Sequence, residues 1–167
     1  TGRIVACNQC HLDRSLEWTA GYLAEWYGHE KPNLSEELRT TALSVLHSLK
    51  GNAGQRALAA WSFGWQPARD VSGMEWMVPF LLALMNDEYD AVRQIAFRSL
   101  RTMPGYQELA FDPFSEPNEW VRVTKQVIEL WDQKQHAPDR PQLLFGSEGR
   151  FQLDEFMRLL RERDRRP

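Results

Sequence analysis

The sequence predicts an all-α fold, and three observations predict it. Apolar residues recur at three- and four-residue spacing in segment after segment. Those segments open on capping residues and close on Gly or Pro. One helical pair then recurs: placing Arg93 over Arg56 also lays Ala96 on Ala59 and Leu100 on Phe63.

Taken in order, the first helix runs over 16–27. Ser15 is its N-cap, Gly28 its stop, and Leu16, Ala20, Leu23 and Tyr27 its apolar stripe. Residues 29–32 connect it to a second helix over 34–49, opened by an Asn33/Glu36 capping box and striped by Leu38, Ala42, Val45, Leu46 and Leu49. Gly51 stops that helix. Asn52 and Gln55 box the next, which runs to Phe63 before Gly64 and Pro67 close it, and the short turn makes the two an αα-hairpin. A second hairpin follows, with an apolar helix over 78–85, a turn over 86–89 and a helix over 90–103.

A helical-hairpin repeat whose second helix opens on Asp90-Ala91-Val92-Arg93 resembles a HEAT repeat. Its core is expected from Leu46, Leu49, Leu58, Trp61, Leu81, Leu84, Val92, Ile95 and Leu100. Arg56 and Arg93, at matched positions, are expected to hydrogen-bond the turns between repeats rather than to bind an anion. Pro104-Gly105 ends the array and 111–117 is an irregular loop. Asn118 caps a helix reaching Gln133, striped by Trp120, Val123, Val127 and Trp131. A polar linker covers 135–141, a short β-hairpin is expected over 143–151, and Asp154 caps a last helix carrying Phe156, Leu159 and Leu160. The charged end, 161–167, is expected to be a solvated, frayed tail. The domain plan is therefore an N-terminal segment over 1–32, helical repeats over 33–134, and a linker, hairpin and helix over 135–167.

Composition narrows the function classes. The 167 residues carry a net charge of −3 with a pI near 5.8, which implies no general attraction to nucleic acid or to an anionic membrane surface. No run of 18 apolar residues exists to span a bilayer. Seven Trp, eight Phe and four Tyr would suit a chain that wraps a large flat group, although core packing accounts for most of them. Gly-x-Ser-x-Gly, His-Glu-x-x-His and phosphate-loop patterns are missing.

One stretch carries chemistry: Cys7-Asn8-Gln9-Cys10-His11. A C-x-x-C-H pentad is the attachment pattern for haem c. Two thiols add across two vinyl groups on one edge of the macrocycle, and the adjacent imidazole meets the iron as proximal ligand. The competing readings are coincidence, a thioredoxin-like redox pair and a zinc site. The redox pair belongs in a βαβ pattern, which does not follow. Zinc needs two more ligands, and no further Cys exists. Haem c is attached outside the cytoplasm, so the motif implies a periplasmic or extracellular location. Thr1-Gly2-Arg3 is not a signal sequence, so a leader was removed or a longer chain truncated before Thr1.

Beyond the pentad, Cys7 to Ala20 followed by Trp26-Tyr27-Gly28, together with 87–93 and Arg98-Ser99-Leu100-Arg101, resembles the C-terminal part of bacterial multihaem c-type cytochromes that carry HEAT-like repeats after their last haem site. The resemblance covers most of the chain from Cys7 to Arg166, and here only one haem site is present. It implies one-electron transfer through closely spaced haems, with neighbouring haem subunits or a redox partner protein as partners. An electron carrier is expected rather than a catalyst. The alternatives are a haem enzyme subunit with an open iron site, or a repeat scaffold that docks a redox partner.

The distal iron ligand has several candidates. His29 lies in the loop after the first helix. His47 falls about 180° from Leu38 at 100° per residue, facing solvent or a haem on the helix's other side. His136 sits in the polar linker and is expected to be solvated. Met74 and Met77 occupy a cytochrome-like downstream position but read better as core filler. Multihaem relatives generally use bis-His ligation, so a ligand from before Thr1 or from another chain stands level with His29 and His47.

Overall fold

Helix follows helix wherever the cap and stripe signals agree. The structure is a computed structural model that describes residues 5–110, 112, 117–132 and 139–166. The reading of Thr1-Gly2-Arg3, most of the predicted 111–117 loop, and His136 lie outside those residues. Ten α-helices and no strand occur among the described residues, so the chain is all-α. No helix of these is long and apolar enough to cross a membrane.

The centre of the molecule is two helical hairpins side by side. Helices α4 (Leu43–Lys50) and α5 (Ala53–Gly64) form the first, and α7 (Val78–Met85) and α8 (Asp90–Arg101) the second. The expected Asn52–Gln55 capping box is present: the Asn52 side chain accepts from the Gln55 N–H at 3.0 Å, and the Gln55 side chain accepts from the Asn52 N–H at 3.0 Å. α5 packs along α8 and α4 along α7. Val45, Leu49, Ala60, Phe63, Leu81, Leu84, Ala96 and Leu100 are fully buried between them. Gly64 sets the α5–α8 distance, because a Cβ there would lie 2.5 Å from the Ser99 hydroxyl oxygen and 3.0 Å from its Cα.

A polar cluster locks the hairpins at one end. The Arg56 guanidinium, fully buried, grips the Asp87 carboxylate through Nε at 2.6 Å and Nη2 at 3.0 Å, and donates to the Gly51 and Asp164 carbonyls at 2.7 Å each. Arg93 donates to the Asp87 carbonyl at 2.8 Å and pairs with Asp90. Both arginines therefore bond the turns, as expected of their positions.

The remaining elements are α1 (Cys7–Cys10), α2 (Leu16–Tyr27), α3 (Glu36–Thr40), α6 (Gln66–Ser72), α9 (Pro117–Asp132) and α10 (Leu153–Arg161). Ser15 caps α2 by accepting from the Trp18 N–H, and Gly28 ends it at φ +66°. Val123 and Val127 seat α9, and Phe156 and Leu159 seat α10.

Several expectations are corrected. The helix over 34–49 is two helices, because Thr41 and Ala42 are extended: Ala42 N–H donates to the Gln142 carbonyl at 2.9 Å and Leu43 N–H to the Arg14 carbonyl at 3.0 Å. Those tertiary bonds replace the intrahelical ones that the break gives up. Ser35, not Asn33, stands at the N-cap. Pro67 closes nothing. It sits in the first turn of α6, where its missing N–H is needed least. Between 140 and 151 there are two 3₁₀ turns and isolated bridges from Phe145 to Arg140 and Phe151, and no hairpin of strands; Leu144 and Glu148 at positive φ turn the chain too sharply for a ladder. Trp61 and Tyr27 are exposed rather than core, at 47% and 69%.

The charged tail is docked, not frayed. Arg163 reaches the Asp87 carboxylate at 2.9 Å and the Leu49 carbonyl at 3.0 Å, and Asp164 N–H bonds the Lys50 carbonyl at 3.0 Å.

Candidate haem-attachment site

The pentad folds as a single helical turn. Cys7 and Cys10 stand at i and i+3, which share one face of a helix. Both thiols are free and partly exposed. Asn8 points the other way and is buried. Its amide donates to the Arg14 carbonyl at 3.0 Å, and its oxygen accepts from the Thr19 hydroxyl at 2.6 Å, tying the turn to α2.

The backbone of the motif is clamped from two more helices. The Ser72 hydroxyl, on α6, donates to the Cys10 carbonyl at 2.8 Å and accepts from the Leu12 N–H at 2.9 Å. The Ser44 hydroxyl, on α4, donates to the Leu12 carbonyl at 2.5 Å, and Leu12 is 1% exposed. Neither serine carries a local signal in the sequence, since their partners lie 60 and 32 residues away. Side chains from three helices thus hold five residues in one conformation.

His11 ends the turn, its N–H on the Cys7 carbonyl at 3.0 Å. Its ring is partly exposed and lies 4.7 Å from the Trp18 ring, tilted by 46°. Trp18 begins a ladder along α2, with Tyr22 at 4.9 Å from Trp18 and Trp26 at 4.8 Å from Tyr22. Beside it runs an open groove of about 530 Å³ lined by Glu17, Trp18, Gly21, Tyr22 and Lys31 among others. Nothing lies within 4 Å of where a Gly21 Cβ would stand, so the helix face there is flat and bare.

These residues fit a covalently held haem. Two thiols share one face one turn apart, the imidazole follows directly, and open apolar surface lies next to it. Among the described residues no three of His, Cys, Asp and Glu gather around one ion-sized point.

Comparison with protein-family models, characterised proteins and solved structures finds no significant match.

The other candidate ligands fall in different places. His29 is exposed beyond Gly28, its ring 6.1 Å from Tyr27. His47 does not face solvent. It is partly buried in a cleft of about 20 Å³ shared with Asn8, Gln9, Leu12, Leu58 and Ser62, which neither Cys7 nor Cys10 lines. Burial lowers its pKa to about 4. Met77 is fully buried and Met74 packs against the same core, which is the core-filling role expected of them.

Proposed function

We propose that the chain is a c-type cytochrome, as a fragment or subunit, that carries one covalent haem for electron transfer within a multihaem chain. The observation that carries the reading is the C-x-x-C-H pentad held as one rigid turn with both thiols on a shared face. Each thiol would add its S–H across a vinyl C=C, sulfur to one carbon and hydrogen to the other, so attachment needs no oxidant. His11 would be the proximal ligand, with Trp18 packed on its ring to restrict rotation and shed water. The bound group supplies a one-electron Fe(II)/Fe(III) couple. The Ser72, Ser44 and Asn8 clamp keeps the imidazole and its backbone from reorganising as charge changes.

On this reading the α4–α5 and α7–α8 hairpins are HEAT-like repeats, and their partners are neighbouring haem subunits or a redox protein. The location would be periplasmic or extracellular. The space between His47 and the motif turn admits about one water, not a macrocycle. That favours His29, or a histidine from outside the stretch, for the sixth position.

The test is attachment in a host that matures haem c. The haem should stay with the protein through acid–acetone extraction and give a c-type pyridine haemochrome. The Cys7→Ala, Cys10→Ala double variant should lose it. Extractable haem in the wild type, or full retention in the double variant, overturns the reading.

A further inference from the structure

A large cavity lies away from the motif turn. It is a groove of about 820 Å³ between α7, α9 and α10, within the roughly 300–1,000 Å³ of small-molecule sites. Its walls are apolar and aromatic: Leu82, Ile128, Trp131, Phe151, Phe156 and Leu160. Its rim is cationic, with Arg161, Arg163 and Arg165 and no carboxylate among the lining residues. Arg163 is held in place by Asp87 and the Leu49 carbonyl. Arg161 and Arg165 are exposed, and among the described residues neither guanidinium has a hydrogen bond or ion pair. Two unengaged guanidinium groups at the mouth of an apolar groove, in a chain whose net charge is negative, define what complements it. An alkyl chain satisfies the walls and an anionic head satisfies the rim, since guanidinium pairs with oxyanions through two parallel N–H bonds.

We infer that this groove binds a single-chain amphipathic anion, an acyl chain ending in a carboxylate or phosphate. Arg161 and Arg165 take the head, and Leu82, Trp131 and Phe156 take the chain. The site shares no residue with the motif turn, so the inference stands or falls separately from the haem reading.

Calorimetric titration of the whole chain with decanoate tests it, with decanol and decyltrimethylammonium as neutral and cationic controls of equal chain length. Decanoate should bind and the two controls should bind at least tenfold more weakly. Arg161→Ala with Arg165→Ala should weaken decanoate by about ten- to a hundredfold, and the paired Lys variants should recover part of that. Ala83→Trp, which fills the groove without touching the rim, should abolish binding. No decanoate binding to the folded wild type, equal binding of decanol, or an unchanged affinity in the double Ala variant overturns the inference. Sedimentation with phosphatidylglycerol vesicles separates the two sources of such a head group. Vesicle binding lost in the double variant, without decanoate binding, would make the rim a membrane contact and likewise overturn it.

Discussion

Replacing Asp87 by Ala removes a carboxylate that accepts four hydrogen bonds: two from Arg56 at 2.6 and 3.0 Å, one from Arg163 at 2.9 Å and one from the Tyr89 N–H at 3.1 Å. Arg56 and Asp87 side chains are both 0% exposed, so no water can replace what is lost. Breaking one partner of a buried pair costs about 3–5 kcal/mol, because the other charge stays behind uncompensated. Arg163, at 12% exposure, can turn partly to solvent and adds little. The Gly51 and Asp164 carbonyls still bind Arg56, which keeps the expected loss near the middle of that range, about 4 kcal/mol. At about 2–4 °C per kcal/mol for a chain of this size, the Tm should fall by about 8–16 °C. Urea unfolding measures it, with a lower midpoint and an unchanged m-value. Glu88→Ala is the control. Its contact with Arg56 is 3.6 Å and its side chain 41% exposed, so it should cost less than about 1 kcal/mol. In a double-mutant cycle with Arg56→Met, the double variant should lose less than the sum of the two single losses. A cost under about 1 kcal/mol for Asp87→Ala, or an equal cost for Glu88→Ala, would refute the argument.

Gly64→Ala should destabilise by about 1–3 kcal/mol, since its methyl meets Ser99 Cβ and Cα as well as the hydroxyl. Ser99→Ala should not rescue it, and a neutral Gly64→Ala in the same urea assay would mean α5 and α8 can part freely. Ser72→Ala leaves the buried Leu12 N–H unpaired and should cost about 1–3 kcal/mol; no cost would mean the motif is not held from α6. His47 is neutral in the fold down to about pH 4 but titrates near 6.5 once unfolded. The unfolded state therefore binds more protons in that window, and stability falls as pH drops from 6.5 towards 4, by up to about 3 kcal/mol, and is flat above it. The difference in stability between wild type and His47→Gln should shrink with falling pH across that window, and a pH-independent difference would show that His47 is not desolvated.

Features that depend on a few neighbouring residues were legible in the sequence. The Ser15 cap, the Gly28 stop and the Asn52–Gln55 box each involve groups within four residues of one another, and all appear in the fold. The pentad is of the same kind: its spacing alone places both thiols on one face. The Asn33 cap and the Pro67 stop, local signals too, failed, and the larger failures depend on partners far along the chain. The break at Thr41–Ala42 exists because Arg14 and Gln142 offer backbone partners there. The tail is ordered because Arg56 has a carbonyl to find at Asp164, 108 residues away. Its apolar identity predicts Trp61 in the core, but the Trp61 ring stacks on Trp65 at 5.5 Å on the outside of the hairpin.

His47 joins the local and the distant cases. Its angle from Leu38 predicts solvent or a haem on the helix's other side, which holds for a helix buried on one side only. α4 is packed by α1, α5, α7 and α10, and His47 meets residues of α1 and α5, so a residue opposite the main stripe is still enclosed. The same enclosure explains the clamp on the pentad. A four-residue helix cannot hold its own shape, because nucleating a turn costs more than one hydrogen bond returns. Its geometry has to come from Ser44, Ser72 and Thr19 on the helices packed around it. The chemistry of the site is therefore written locally, in five residues, while the rigidity that would make it useful is supplied by helices as much as 62 residues further along the chain.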